Sequence, residues 1–159
     1  MDVMGGVVPE RFLVDFYTSL NRAIVADDAD LAAVADRFFA PECVEVSDGI
    51  RLDRAKLLAH LGPVRLMLRS RAAPRFEVHE ALADGARMAA RFTIHLAPDG
   101  PSGQRAGPSS SRSAPGEAGT GSAGGAGGGA SAIDVMMLGE WGPDGRLLRS
   151  HGLTREVTR

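Results

Sequence analysis

The side chains able to do chemistry in this 159-residue chain are few and widely separated. Asp48 is the first candidate. It follows Cys43–Ser47, CVEVS, in phase with Val44 and Val46. A carboxylate carried on an apolar strand face loses hydration, so its pKa rises and it can act as a general base. The same residue opens an Asp-Gly pair, where an aspartate commonly hydrogen-bonds its own turn. Tyr17 lies beside an apolar helical stripe and could donate its phenolic hydrogen into a pocket, or serve as a core aromatic with its hydroxyl at the boundary. Asp134 would form an acid pair of split pKa with Asp48 if both reached one cavity; the alternative is a solvated residue at the start of a strand. Trp141, the only tryptophan, could stack on a ligand or close one end of the core.

Other chemistries find little support. His60, His79, His95 and His151 fall on different elements without metal-ligand spacing, and Cys43 is the only cysteine, so neither a metal site nor an internal disulfide is expected. No glycine-rich phosphate loop follows a strand, and no cofactor is expected. Eighteen basic and twenty acidic residues give a formal charge of −2, which offers no electrostatic attraction to nucleic acid or an anionic membrane. Arg65, Arg69 and Arg71 form a basic patch that reads as a solvated face. The opening MDVMGGVVPE lacks a basic, apolar leader, so a cytoplasmic location is the expectation.

The elements that must position these residues follow from periodicity. Leu13, Phe16, Tyr17, Leu20 and Ile24 recur at three- and four-residue spacings after Pro9, predicting an amphipathic helix. Asp27-Asp28-Ala29-Asp30 offers N-cap carboxylates for a second helix carrying Leu31, Val34, Ala35 and Phe38, ending before Pro41. Asp53 can cap a third helix through Leu61, with Gly62-Pro63 expected to break it. Cys43–Ser47, Arg75–Leu82, Arg87–Leu96, Ile133–Trp141 and Arg146–Glu156 read as strands, with Asp84-Gly85 and Gly142-Pro143-Asp144-Gly145 as turns. Met88, Ala90, Phe92, Ile94 and Leu96 mark one buried face. Ile133–Trp141 is apolar on both faces, as for a strand covered by the core on one side and by a second subunit on the other. Residues 98–131 are rich in Gly, Ser, Ala and Pro and cannot bury enough surface to order themselves, predicting a disordered insertion within the sheet. The organisation expected is a flexible leader at 1–8 and one α+β domain at 9–97 and 132–157.

Three stretches carry a family resemblance. FFAPECVEVSDG resembles the first helix-to-strand junction of the SnoaL-like and ketosteroid-isomerase-like proteins of the nuclear transport factor 2-like superfamily. ALADGARMAARFTIHL resembles their central hairpin and WGPDGRLLRSHG their last. The resemblance implies a cone-shaped, mostly antiparallel curved sheet wrapping two to three helices, a pocket in the cone's mouth, and frequent homodimers through the outer sheet face. Ketosteroid isomerase places an Asp base, a Tyr and a protonated Asp in that cone. Counting from Phe39-Ala40 puts Ser47 at the base position, with Asp48 one further on; strand parity favours Asp48. The tyrosine position aligns with Phe16, beside Tyr17. The second acid follows an isoleucine, as Asp134 follows Ile133, whereas counting from the next turn puts Met137 there. The implied function is binding of a small apolar or aromatic molecule against Phe16, Phe92, Met137 and Trp141. Asp48 and Tyr17 would then carry cofactor-free isomerisation, cyclisation, dehydration or epoxide opening. The alternative is a non-catalytic module that dimerises or binds protein through its sheet.

One prediction needs only composition. Replacing residues 98–131 by a short Asn-Gly turn should leave stability unchanged or slightly raised, because closing a long loop costs entropy only logarithmically in its length. A loss above about 2 kcal/mol in urea unfolding would show that the tract packs on the domain.

Overall fold

A computed structural model describes residues 6–98 and 130–157. The leader expected at 1–8 and the insertion expected at 98–131 lie largely outside the described residues. The described residues form helices α1 (Pro9–Val25), α2 (Leu31–Phe38) and α3 (Arg54–Arg69). The strands are β1 (Phe39–Ser47), β2 (Ile50–Leu52), β3 (Arg75–Asp84), β4 (Arg87–Leu96), β5 (Ser131–Trp141) and β6 (Leu147–Val157).

The helices start where their caps place them. Pro9 opens α1, where a missing N–H costs nothing, and Leu13, Phe16, Leu20 and Ile24 are buried along one stripe. Asp30 Oδ1 accepts from Ala32 N at 3.0 Å to cap α2, and Asp53 Oδ1 accepts from Lys56 N at 3.1 Å to cap α3. The expected break at Gly62-Pro63 is corrected: α3 runs through it to Arg69. Pro63 cannot bond back to Ala59, but both residues are exposed, so water can serve the released carbonyl. Beyond the proline, Leu68 is buried. Arg65 and Arg69 bind the end of α1 and its following turn, donating to Ile24 O, Ala29 O, Val25 O and Ala26 O. Tertiary anchoring outweighs the local breaker.

One curved six-stranded sheet has the order β2-β1-β6-β5-β4-β3. All neighbours are antiparallel except β1 and β6, which run parallel. Its register against β6 shifts between Phe39 and Val44. Pro41, which has no N–H to give a ladder, sits in that irregular stretch. The helices cover one sheet face, where Met88, Ala90, Phe92, Val135 and Met137 are buried with α1 and α3. The architecture is the α+β cone expected from the sequence. The outer face of β5 is uncovered in the single chain, with Met136 60% and Leu138 63% exposed.

Trp141 closes the core where β5 ends. It is 1% exposed and meets Phe12 and Phe16 edge-on, with ring centroids 5.3 and 5.7 Å away. Its indole lies across Gly139: a Cβ there would stand 2.6 Å from two indole carbons. A buried, clamped indole cannot move aside as a flexible chain end would. Gly139→Ala should therefore destabilise the domain by about 1–3 kcal/mol in urea unfolding, whereas Gly62→Ala, with open space around its Cβ position, should not destabilise it.

Candidate functional site in the cone

Strand β1 decides which acid faces the interior. Cys43, Glu45 and Ser47 share one side, and Cys43 is buried in the core. Val44 and Val46 take the other side. They line an outer groove with Leu138, Arg149 and His151 and pair in register with Arg149 and His151. The apolar strand face of Val44 and Val46, expected to carry Asp48 to the base position, is thus the outer one. Alternation tells which residues share a face, but both faces of this sheet are apolar near its centre, so the valines satisfy either.

Glu45 is the interior carboxyl. It pairs with Ser150 of β6, and Ser150 Oγ donates to Glu45 Oε1 at 3.0 Å. Burial raises its pKa above the ordinary glutamate value; the Ser150 hydrogen bond and the nearby His60 charge oppose the rise without cancelling it. The Glu45 charge is felt by two neighbours. It adds to the burial that raises the Tyr17 pKa. With burial and Glu42 it also helps push the Cys43 thiol up to about 12. Cys43 therefore stays a neutral thiol. A glutamate two residues from a cysteine, on the same strand parity, was the signal available in the sequence, but the flanking valines obscured it.

Asp48 stands elsewhere. It is exposed, with a left-handed backbone (φ 49°), in the turn from β1 to β2. Its Oδ1 accepts from Thr154 N at 2.7 Å and its Oδ2 from Thr154 Oγ1 at 2.5 Å. These bonds favour the carboxylate and lower its pKa, the opposite of the rise expected from a position in the cone mouth. The turn changes the chain's direction after Ser47, so strand phase does not extend to Asp48.

Tyr17 does lie in the interior. Its ring stacks on Phe76 at 5.7 Å and meets Phe92 at 5.8 Å and Phe16 at 5.4 Å, while its hydroxyl donates to Met137 Sδ at 3.5 Å. Phe16, Phe92, Met137 and Trp141, expected to line a ligand site, are all buried in the core. Asp134 is on the outer face and does not join Asp48. It accepts from Arg155 Nη2 at 2.8 Å and from Thr93 Oγ1 at 2.8 Å, which lowers its pKa. His79 bonds the same threonine at 2.7 Å and His95 meets Glu77 at 2.7 Å, also on this face. Among the described residues no group of three or more His, Cys, Asp or Glu could hold a metal ion, and no helix is long and apolar enough to cross a membrane.

No family model matches the chain, and no curated protein matches it. Solved structures do. AclR of Streptomyces galilaeus, assigned as a hydroxylase, is 14% identical with a TM-score of 0.54 over 92% of this chain and 88% of its own. A protein of Shewanella denitrificans assigned as a SnoaL-like polyketide cyclase is 14% identical, with a TM-score of 0.53 over 92% and 90%. SalBIII, an epoxide hydrolase/cyclase-like enzyme, is 11% identical, with a TM-score of 0.52 over 92% and 90%. With the curved sheet and the covering helices, these likenesses show that the chain has the nuclear transport factor 2-like fold, which SnoaL-like proteins share.

Proposed function

We propose that the protein binds a small apolar or aromatic molecule in its cone and acts on it by cofactor-free acid–base chemistry, with Glu45 as the proton-transferring group. The observation that carries this reading is a carboxyl on the inner face of β1 whose pKa is raised by burial. Such a group can hold or release a proton nearer neutrality than a solvated glutamate. Tyr17 stays a neutral hydrogen-bond donor, because burial and the Glu45 charge keep its proton on. The stacked rings of Tyr17 and Phe76, with Phe92 tilted against them, offer an aromatic wall. Cyclisation, isomerisation, dehydration and epoxide opening all need a proton moved at an apolar substrate, and SalBIII, similar in fold, is epoxide hydrolase/cyclase-like. Asp48 takes a different part in this reading: it fastens the turn after β1 to β6.

The test uses carboxyl-carbon NMR and 2-naphthol as a neutral aromatic probe. Glu45 should titrate above, and Asp48 below, the ordinary range of its residue type. Naphthol binding should show a pH step that Glu45→Gln removes and Asp48→Asn keeps, with affinity at low pH within about tenfold of wild type. Loss of the step in Asp48→Asn alone would return the role to Asp48.

The same shift sets a stability prediction. Glu45 has its folded pKa raised, so its favourable contribution is full below the unfolded value and is lost as pH rises through the folded value. Glutamine can still accept from Ser150 but never ionises. The melting temperature of Glu45→Gln should match wild type below pH 4.5, the ordinary glutamate value, and exceed it at neutral pH. Melting curves parallel at all pH values would place Glu45 in water.

A specific observation favours a second, compatible reading, self-association through the outer sheet face. Leu82, Met136, Leu138 and Leu153 are exposed there together and line open grooves of about 680 and 500 Å³. Ion pairs of Glu140 with Arg87 and Arg149, and of Glu80 with Arg91, surround them. An apolar centre with a charged rim is the anatomy of a protein interface. Light scattering should give a dimer for the wild type and a monomer for Met136→Glu/Leu138→Lys. A monomeric wild type at high micromolar concentration would exclude this use of the face.

A further inference from the structure

A cleft of about 460 Å³ opens between the C-terminal half of α1, the end of α3 and the start of β3. Its lining includes neither the β1 acid nor the outer-face residues Leu82, Met136, Leu138 and Leu153. Its size falls within the range of small-molecule sites. Phe76 and Leu68 give it an apolar floor, and Phe76 is held by its stack on Tyr17. Three arginines line it, Arg22, Arg69 and Arg71, with one acid, Asp27.

The end of α1 would ordinarily repel an anion here, since a helix C-terminus carries unpaired carbonyls and a partial negative charge. The structure removes that objection. Arg65 donates to Ile24 O and Ala29 O, both at 2.6 Å, and Arg69 donates to Val25 O at 3.1 Å and Ala26 O at 3.0 Å. The carbonyls are covered, yet the guanidinium charge remains, because a neutral carbonyl does not cancel it. Asp27 is fully solvated and only 3.6 Å from Arg69, a weak partner. Arg22 is exposed and has no ion pair among the described residues.

We propose that this cleft binds a small aromatic carboxylate, its ring on Phe76 and Leu68 and its carboxylate held by Arg22. A planar guanidinium fork matches a carboxylate's two oxygens. The apolar floor favours an anion with an apolar body over inorganic phosphate. The inference does not depend on the chemistry proposed for Glu45.

The experiment is an amide NMR titration of the full chain with 2-naphthoate, run in parallel with neutral 2-naphthamide. Saturable shifts are expected at Asn21, Arg22, Arg71 and Ala73. Naphthamide should bind at least about tenfold more weakly, a loss of roughly 1.4 kcal/mol, and added salt should weaken naphthoate alone. Arg22→Glu should lower naphthoate affinity by about tenfold or more, and Arg22→Gln by less, with only a small fall in melting temperature for Arg22→Glu, since Arg22 is exposed but lies in the last turn of α1. Equal binding of acid and amide, indifference to Arg22→Glu, or shifts centred on Glu45 and Ser150 or on Met136 and Leu153 would each overturn the proposal. The last two outcomes would also locate the ligand in the cone or on the outer face.

Discussion

The parallel pairing of β1 with β6 fixes the chemistry of the interior. Side chains alternate along a strand, so a slip of one residue would exchange every inner and outer group. In the observed register Glu45 lies beside Ser150 on the inner side, and Val46 beside His151 on the outer. Contacts at both ends oppose a slip. At one end Asp48 N donates to Gly152 O at 3.0 Å, and both Asp48 carboxylate oxygens accept from Thr154. At the other, buried Phe39 pairs with buried Leu147, and the register change around Pro41 absorbs the mismatch between them. An exposed aspartate thus helps determine where a less solvated glutamate stands.

Electrostatics separate the two faces. On the solvent side and at the turns, Asp48, Glu77, Asp134, Glu140 and Asp144 all have lowered pKa values, because hydroxyls, amides, guanidiniums or an imidazole donate to them. These carboxylates remain charged down into acid, and what stability they add fades only as pH falls through their lowered values. Glu45 is shifted the other way, since burial outweighs the single serine hydrogen bond and the His60 charge. A charged group that is costly to keep inside a fold is a reasonable marker of function, whereas paired surface acids have an ordinary structural explanation.

Aromatic packing gives the interior its shape. Trp141 fills the end of the core nearest Phe12 and Phe16, and the missing side chain at Gly139 makes room for it. Tyr17, Phe76 and Phe92 form a second cluster, with Phe76 shared between the core and the arginine-lined cleft. The helices therefore do more than cover the sheet. Arg65 and Arg69 of α3 bind the end of α1, closing its dipole beside an arginine-lined cleft, in what reads in sequence as a solvated patch.

The sequence by itself determined the elements and their order. Period-two alternation in Arg87–Leu96, the apolar stripe from Leu13 to Ile24, and cap carboxylates in Asp27–Asp30 and at Asp53 are local effects, written in spacing and residue type. It also marked Tyr17 as lying on an inward stripe. It did not determine that α3 continues through Pro63, because the anchoring contacts come from residues about forty positions away. Nor did it decide which face of β1 is inner. Val44 and Val46 suit either apolar surface, and the choice belongs to the pairing with β6, about a hundred residues later in the chain. Asp48 was assigned by extending strand phase past a left-handed turn, where phase has no meaning. Glu45 was passed over because a charge between two valines reads as solvent-facing until the sheet shows that both of its sides are apolar.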